Sequence, residues 1–290
     1  MEGFLKLNNK IVIELKIKPV SPLNIKLGRE KECSDNVALM ITSESDVSTK
    51  INIDKSKVDN TERKGEIYIP GSTLKGMFRD RFLDIYESNY NEEIASEKIE
   101  NIFGRVGDKD SKEKKALKGR IFLEDAYFHD EEKRKNFFKE GSDAFKKFLN
   151  QRSITPIDHF SGKVVAPLAL EYTTECFRTE VIVNNITKEE IQAIYFLIRD
   201  SQLGEIRIGN SKTRGFGQIE LEIENLRFDN YIGKNEFFER LKKYFTTNDK
   251  NSIKFGDKYL CESFYLKEEM KKINYEEPND FIKSLFGGKD

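Results

Sequence analysis

The order of the apolar periodicities constrains this chain most: strand, helix and strand patterns follow one another, and the same triplet then recurs. Ile11 to Ile17 read I-V-I-E-L-K-I, β-branched with alternation toward the end, and Pro19 and Pro22 punctuate the run. Leu74, Phe78, Phe82 and Ile85 then stand at helical spacing, predicting a helix that starts near Ser72 or Thr73, either of which can cap it. Strand signal resumes from Arg120 to Phe128. The second triplet returns through T-E-V-I-V-N, a helix over Lys188 to Asp200 and the alternating strand Gln218 to Ile223. Two such units favour an α+β fold with helices on one face of a sheet, of ferredoxin-like type.

Long segments interrupt this frame. From Leu27 to Gly65 the periodicity fades into polar runs such as S-E-S-D-V-S-T-K, an insertion of a length that is functional or partly disordered more often than structureless filler. A second amphipathic stretch, Glu92 to Phe103, closes with Gly104, and a basic loop leads to Arg120. Lys133 to Leu149 reads as helix, and Ile154 to Asn185, with Pro156, Gly162 and Pro167, as a hairpin-like excursion. From Phe228 onward an apolar stripe of Phe237, Phe238, Leu241, Tyr244 and Phe245 predicts a helical extension.

Composition narrows the chemistry. Lys and Arg number 50 against 51 Asp and Glu, a net charge of −1 that excludes a blanket of positive charge but not a local basic groove. Cys33, Cys176 and Cys261 are far apart with no C-x-x-C pair, so reduced thiols are expected instead of a disulfide framework or zinc site. No apolar run approaches the roughly 20 residues of a bilayer span, and Met1 to Lys10 lacks a signal-peptide pattern. A cytoplasmic location is the expectation. His129 and His159 stand in unrelated contexts without a triad-like partner.

Two glycine-bearing motifs carry the functional signal. Pro70-Gly71-Ser72-Thr73-Leu74-Lys75-Gly76 lacks the Lys and Ser/Thr that a P-loop needs after its last glycine, since Met77 and Phe78 stand there. Its helix start nonetheless offers backbone N–H groups, with Lys75 and Arg79 four apart on one face, a ready phosphate site. Gly209-Asn210-Ser211-Lys212-Thr213-Arg214-Gly215-Phe216-Gly217 lies between strands and fails the dinucleotide fingerprint. Its glycines allow close backbone approach to a phosphate, while Lys212 and Arg214 supply charge. Taken alone the first motif is also a plain strand-to-helix turn and the second a plain hairpin loop. No nucleotide cofactor is expected.

Four ordered segments together resemble the RAMP superfamily of CRISPR effector proteins, specifically type III backbone subunits. They are S-P-L-N-I-K-L-G-R at Ser21 to Arg29, I-P-G-S-T-L-K-G-M-F-R at Ile69 to Arg79, I-D-H-F-S-G-K-V at Ile157 to Val164, and L-G-E-I-R-I-G-N-S-K-T-R-G-F-G at Leu203 to Gly217. The R-D-x-x-x-G-x-I-x-I-G pattern at Arg199 to Gly209 most resembles the type III-D branch. The resemblance implies a modified RNA-recognition-motif palm over residues 1–227, with fingers at about 28–65, a thumb at about 154–185 and a C-terminal helical extension at 228–290.

It also implies roles. Gly71, Ser72, Thr73, Lys75 and Arg79, with Ser211, Lys212, Thr213, Arg214 and Gly215, would grip guide-RNA phosphates, and copies of the chain would stack with other effector subunits along the guide. Val164, Val165 and Pro167 would wedge into the guide–target duplex so that target nucleotides flip out. Asp35 best matches the aspartate with which similar subunits cut target RNA, using a divalent ion such as Mg²⁺ or Mn²⁺. Asp46, Asp54 and Asp59 lie in the same insertion. His159 stands where the family usually has Arg, and Gly28 is followed by Arg29 where two glycines are common. A non-catalytic scaffold or capping subunit is the alternative, and a guide-processing endoribonuclease, disfavoured by the histidine contexts, the third.

Overall fold

The computed structural model describes residues 6–25, 37–38, 42–43, 66–107, 116–140, 147–155, 168–231, 239, 254–258 and 261–266. In chain order the strands are β1 (Asn9–Pro19), β2 (Val37–Ala38), β3 (Thr42–Ser43), β4 (Glu66–Ile67), β5 (Ile121–Leu123), β6 (Tyr127–Phe128), β7 (Asn150–Ile154), β8 (Leu168–Tyr172), β9 (Phe177–Asn184), β10 (Ile219–Asn230), β11 (Lys254–Lys258) and β12 (Cys261–Leu266). The helices are α1 (Gly71–Glu87), α2 (Glu92–Phe103), α3 (Glu131–Glu140) and α4 (Lys188–Gln202), with a 3₁₀ turn at Lys212–Arg214.

The main sheet runs β11-β12-β10-β1-β9-β5, with β6 also on β9, and every described pairing in it is antiparallel. Its inner part, β10-β1-β9-β5, is joined as β1-α1-β5 and β9-α4-β10, the split β-α-β arrangement expected from the two triplets. A small second sheet, β2-β8-β7, and the pair β3-β4 stand beside it.

Alternation explains the layering. Ile11, Ile13, Leu15 and Ile17 of β1, Val181 and Val183 of β9, and Ile219, Leu221 and Ile223 of β10 are buried in one core with Leu74, Phe78 and Phe82 of α1 and Ile191, Ile194 and Ile198 of α4. Each fully buried side chain of this size contributes about 1.5–3 kcal/mol relative to exposure. The opposite face of β1, β9 and β10 carries Lys16, Lys18, Arg178, Glu180, Glu220 and Glu222, and no aromatic residue of these central strands. Glu224 is the extra residue of a bulge opposite Glu14 and Leu15, and its carboxylate meets His129 Nε2 at 2.7 Å.

Three expectations change. The single strand predicted at 120–128 is two, because Ala126 leaves β9 to bridge Ile69. Residues 177–184, read into the 154–185 excursion, form β9 in the middle of the main sheet; the hairpin is β7–β8 instead. The boundary at 227/228 falls inside β10, which stays paired to β1 as far as Asn230. Beyond it the described residues include strands β11 and β12 where a helical extension was expected, with Glu239 helical. No helix among the described residues is long and apolar enough to cross a membrane.

Candidate nucleic-acid interface

At the start of α1, Ile69 exchanges two backbone hydrogen bonds with Ala126, at 2.9 and 2.8 Å, which sets the chain against the β5–β6 connection. Helix begins at once: Pro70, with φ −58°, is the N-cap, and its own side chain makes no capping hydrogen bond. The expected Ser72 or Thr73 cap is therefore absent, since Gly71 and both of these residues already lie inside the helix. Instead the Gly71 N–H donates to Asp125 Oδ1 at 2.7 Å. Glycine is required here, because a Cβ would sit 2.4 Å from the Leu123 carbonyl oxygen. With Leu74, Met77 and Phe78 buried, Ser72 and Arg79 are exposed and Thr73 and Lys75 half-exposed.

The glycine loop hangs between bridged residues Arg207 and Gln218. It is fastened to the segment after β1: the Asn210 N–H donates to the Asn24 carbonyl at 2.8 Å, and the Gly217 N–H to the Pro22 carbonyl at 2.8 Å. Asn24 in turn donates from Nδ2 to the Glu171 carbonyl of β8 at 2.5 Å. Gly217 has φ +78° and leaves no room for a side chain beside the Ile208 carbonyl. These fastenings push Lys212, Thr213, Arg214 and Gly215 outward, where all four are exposed, while Ser211 is half-buried in the left-handed region at φ +57°.

Both motifs lie at one end of the sheet. Pro19 pairs with Ile219 and Ile17 with Phe177, which pairs in turn with Phe128, so the segments 20–68, 129–176 and 203–218 all leave or rejoin the sheet where β1 ends. The α1 start is tied there through the Ile69–Ala126 bridge.

The cations of the two motifs differ in their pairing from those of the open sheet face. On the open sheet face Lys16 bonds Glu222 and Lys18 bonds Glu220, each at 2.9 Å, and Arg178 pairs with Glu14. Their carboxylate partners hold the Lys16 and Lys18 ammonium groups above their usual pKa. Arg81, Lys98, Arg120, Lys133 and Arg134 are paired as well. Lys75, Arg79, Lys212 and Arg214 have no ion pair among the described residues. A cation with no internal carboxylate keeps its full charge for an external anion.

The open face is a poorer phosphate site. A cavity of about 620 Å³ there is lined by Glu14, Glu124, Glu131 and Glu180 as well as Arg134 and Arg178. Burial, then Glu124, raises the Glu180 carboxyl above its usual range. Such a lining repels a phosphate backbone, and the central strands lack the aromatic platform that sheet-face RNA readers use.

Asp35, Val164, Val165 and Pro167 lie outside the described residues, as do Asp46, Asp54, Asp59 and His159. No group of three or more His, Cys, Asp or Glu placed to hold a metal occurs among the described residues. Burial pushes the Cys176 thiol up, away from the thiolate a nucleophile needs. Sequence reading missed Asp125 and Asn24, each of which meets its motif from a distant part of the chain and leaves no local signal.

A family model described as the RAMP superfamily matches residues 16–220, most of the chain and all of this interface. The chain belongs to the RAMP superfamily. That membership makes it a CRISPR-associated RNA-binding protein, and the RAMP match takes in both cationic motifs together with the insertions between them. No curated protein matches the chain.

Proposed function

We propose that this RAMP protein is a guide-RNA-binding backbone subunit of a type III CRISPR effector, of the III-D branch, that cuts complementary target RNA. The observation that carries the binding half is the set of cations with no ion pair among the described residues, Lys75, Arg79, Lys212 and Arg214, on two backbone-fastened motifs at one end of the sheet. Phosphate contacts dominate affinity for nucleic acid and carry no sequence information, which suits a subunit whose target choice comes from base pairing. Several copies and other effector subunits would share one guide. Val164, Val165 and Pro167 would part the guide–target duplex, and Asp35, with a divalent ion, would serve the cut.

The test is co-purification of the complex from its native operon, followed by analysis of bound RNA and of target cutting with and without Mg²⁺. Expected are bound guide in wild type, loss of guide in Lys75→Ala/Arg79→Ala and Lys212→Ala/Arg214→Ala, and regularly spaced Mg²⁺-dependent cuts that vanish in Asp35→Ala. Guide bound without cuts makes the chain a scaffold. Absence of RNA from wild type overturns the reading.

A further inference from the structure

The second sheet presents a cation to the glycine loop that neither motif contains. In the β7–β8 pairing Arg152 stands opposite Leu170, which places the two side chains next to each other on one face of the sheet. Tyr172, two residues along β8, shares that face. Phe216, the aromatic between Gly215 and Gly217, is fully buried against it. Leu170 packs on the ring, Tyr172 meets it edge-on with centroids 6.1 Å apart, and the Arg152 guanidinium lies 5.5 Å from its centroid.

Arg152 is exposed, and it has no carboxylate partner among the described residues. It is also the one charged residue of β7, whose sequence is N-Q-R-S-I. A guanidinium held over a buried ring is partly ordered in advance, so less side-chain freedom is lost when it meets an anion. Arg152 thus sits over the ring of Phe216, which follows Lys212 and Arg214 in the same loop, and adds a third cation to it.

We infer that Arg152 is a third phosphate contact of the glycine loop, held by Phe216 and carrying the grip of Lys212 and Arg214 onto the β7–β8 sheet. This rests on the guide-binding reading above and adds to it a residue from the insertion between β6 and β9.

The test is fluorescence anisotropy of the full chain with a synthetic guide RNA over a salt series, with thermal melting of each variant alongside. Arg152→Met keeps the stem over Phe216 and removes the charge; Arg152→Gln is the second variant should Met fold poorly. Expected are a several-fold weaker affinity and a salt slope lower by about 0.7, the value of one single-strand phosphate contact. Melting stays unchanged and Arg152→Lys keeps the slope. Wild-type affinity in Arg152→Met and Arg152→Gln, or a loss with an unchanged slope, overturns the inference while a weakened Lys212→Ala/Arg214→Ala leaves guide binding standing. If that double variant and Lys75→Ala/Arg79→Ala also bind as wild type, the guide-binding reading falls with it.

Discussion

The Gly71 N–H donates to the Asp125 carboxylate at 2.7 Å, so the positive end of α1 already holds an anionic group from the β5–β6 connection. A phosphate that reaches this first turn shares it with that charge. Asp125→Asn keeps an acceptor for Gly71 and removes the charge. RNA affinity is expected to rise about threefold at low salt, the size of one exposed charge near a helix end, and the gain to fade as salt increases. Asp125→Ala loses the acceptor too and costs about 1 kcal/mol of stability, as for a lost cap. Anisotropy titrations check the first effect and melting the second. Unchanged or weaker binding in Asp125→Asn would show that RNA does not reach the α1 start.

The glycines of the first motif part in opposite directions. A Cβ at Gly71 meets the Leu123 carbonyl oxygen at 2.4 Å, whereas one at Gly76, inside α1, meets nothing within 4 Å. Gly71→Ala must displace backbone and is expected to cost about 1–3 kcal/mol. Gly76→Ala relieves a helix-interior glycine and adds about 0.5–1 kcal/mol. Denaturant melts of the two variants check both signs, and a destabilised Gly76→Ala would mean that this exposed face of α1 is covered in the native state.

What the sequence revealed follows from what each element needs. β1, α1, α4 and the first half of β10 bury one face each, so Ile11 to Ile17, Leu74 to Phe82, Ile191 to Ile198 and Ile219 to Ile223 advertise themselves by period. β12 is a short strand that brings a polar residue, Ser263, into a buried position beside β10, where its hydroxyl donates to Asp229 Oδ1 at 2.8 Å. Six residues with Glu262 and Ser263 among them give a weak strand signal, and the tail's aromatic stripe suggested helix instead. The two cationic motifs were legible from glycines and charges, and their placement at one sheet end follows from the topology. Arg152, Asn24 and Asp125 were not, since each acquires its role from a partner 54 or more residues away.

A buried carboxylate makes stability depend on pH in an unusual direction. Glu66 in β4 is fully buried and accepts from Arg134 Nε at 2.7 Å and Nη2 at 2.6 Å. Burial raises its carboxyl above the usual 4.5, and the Arg134 bonds oppose that rise only in part. A raised folded pKa means that this group's stabilising contribution is complete below the unfolded value and is lost as pH rises through the folded one. Arg134→Met removes the opposing bonds and drives the folded pKa higher. It is expected to lose about 3 kcal/mol near neutral pH and to regain stability as pH falls toward about 5. Adding Glu66→Gln abolishes that recovery. Melting curves of both variants across this range decide the matter, and a pH-independent Arg134→Met would show that Glu66 stays ionised without its partner.

Asp200 joins α1 to α4. Its carboxylate, 2% exposed, accepts from Arg81 of α1 and from Arg199 of α4, and Arg81 also reaches Glu205 at 2.8 Å. Asp200→Asn leaves two guanidinium groups sharing a neutral acceptor at the α1–α4 contact, a loss expected near 2–3 kcal/mol, or about 5–10 °C in Tm for a chain of this size. None of these residues belongs to the loop at Lys212–Arg214 or the exposed face at Lys75 and Arg79, so guide affinity measured well below the melting transition is expected to match wild type. A fall in affinity without a fall in Tm would instead make the Arg81–Asp200–Arg199 cluster part of the RNA contact, with Asp200 holding two arginines in place for phosphate.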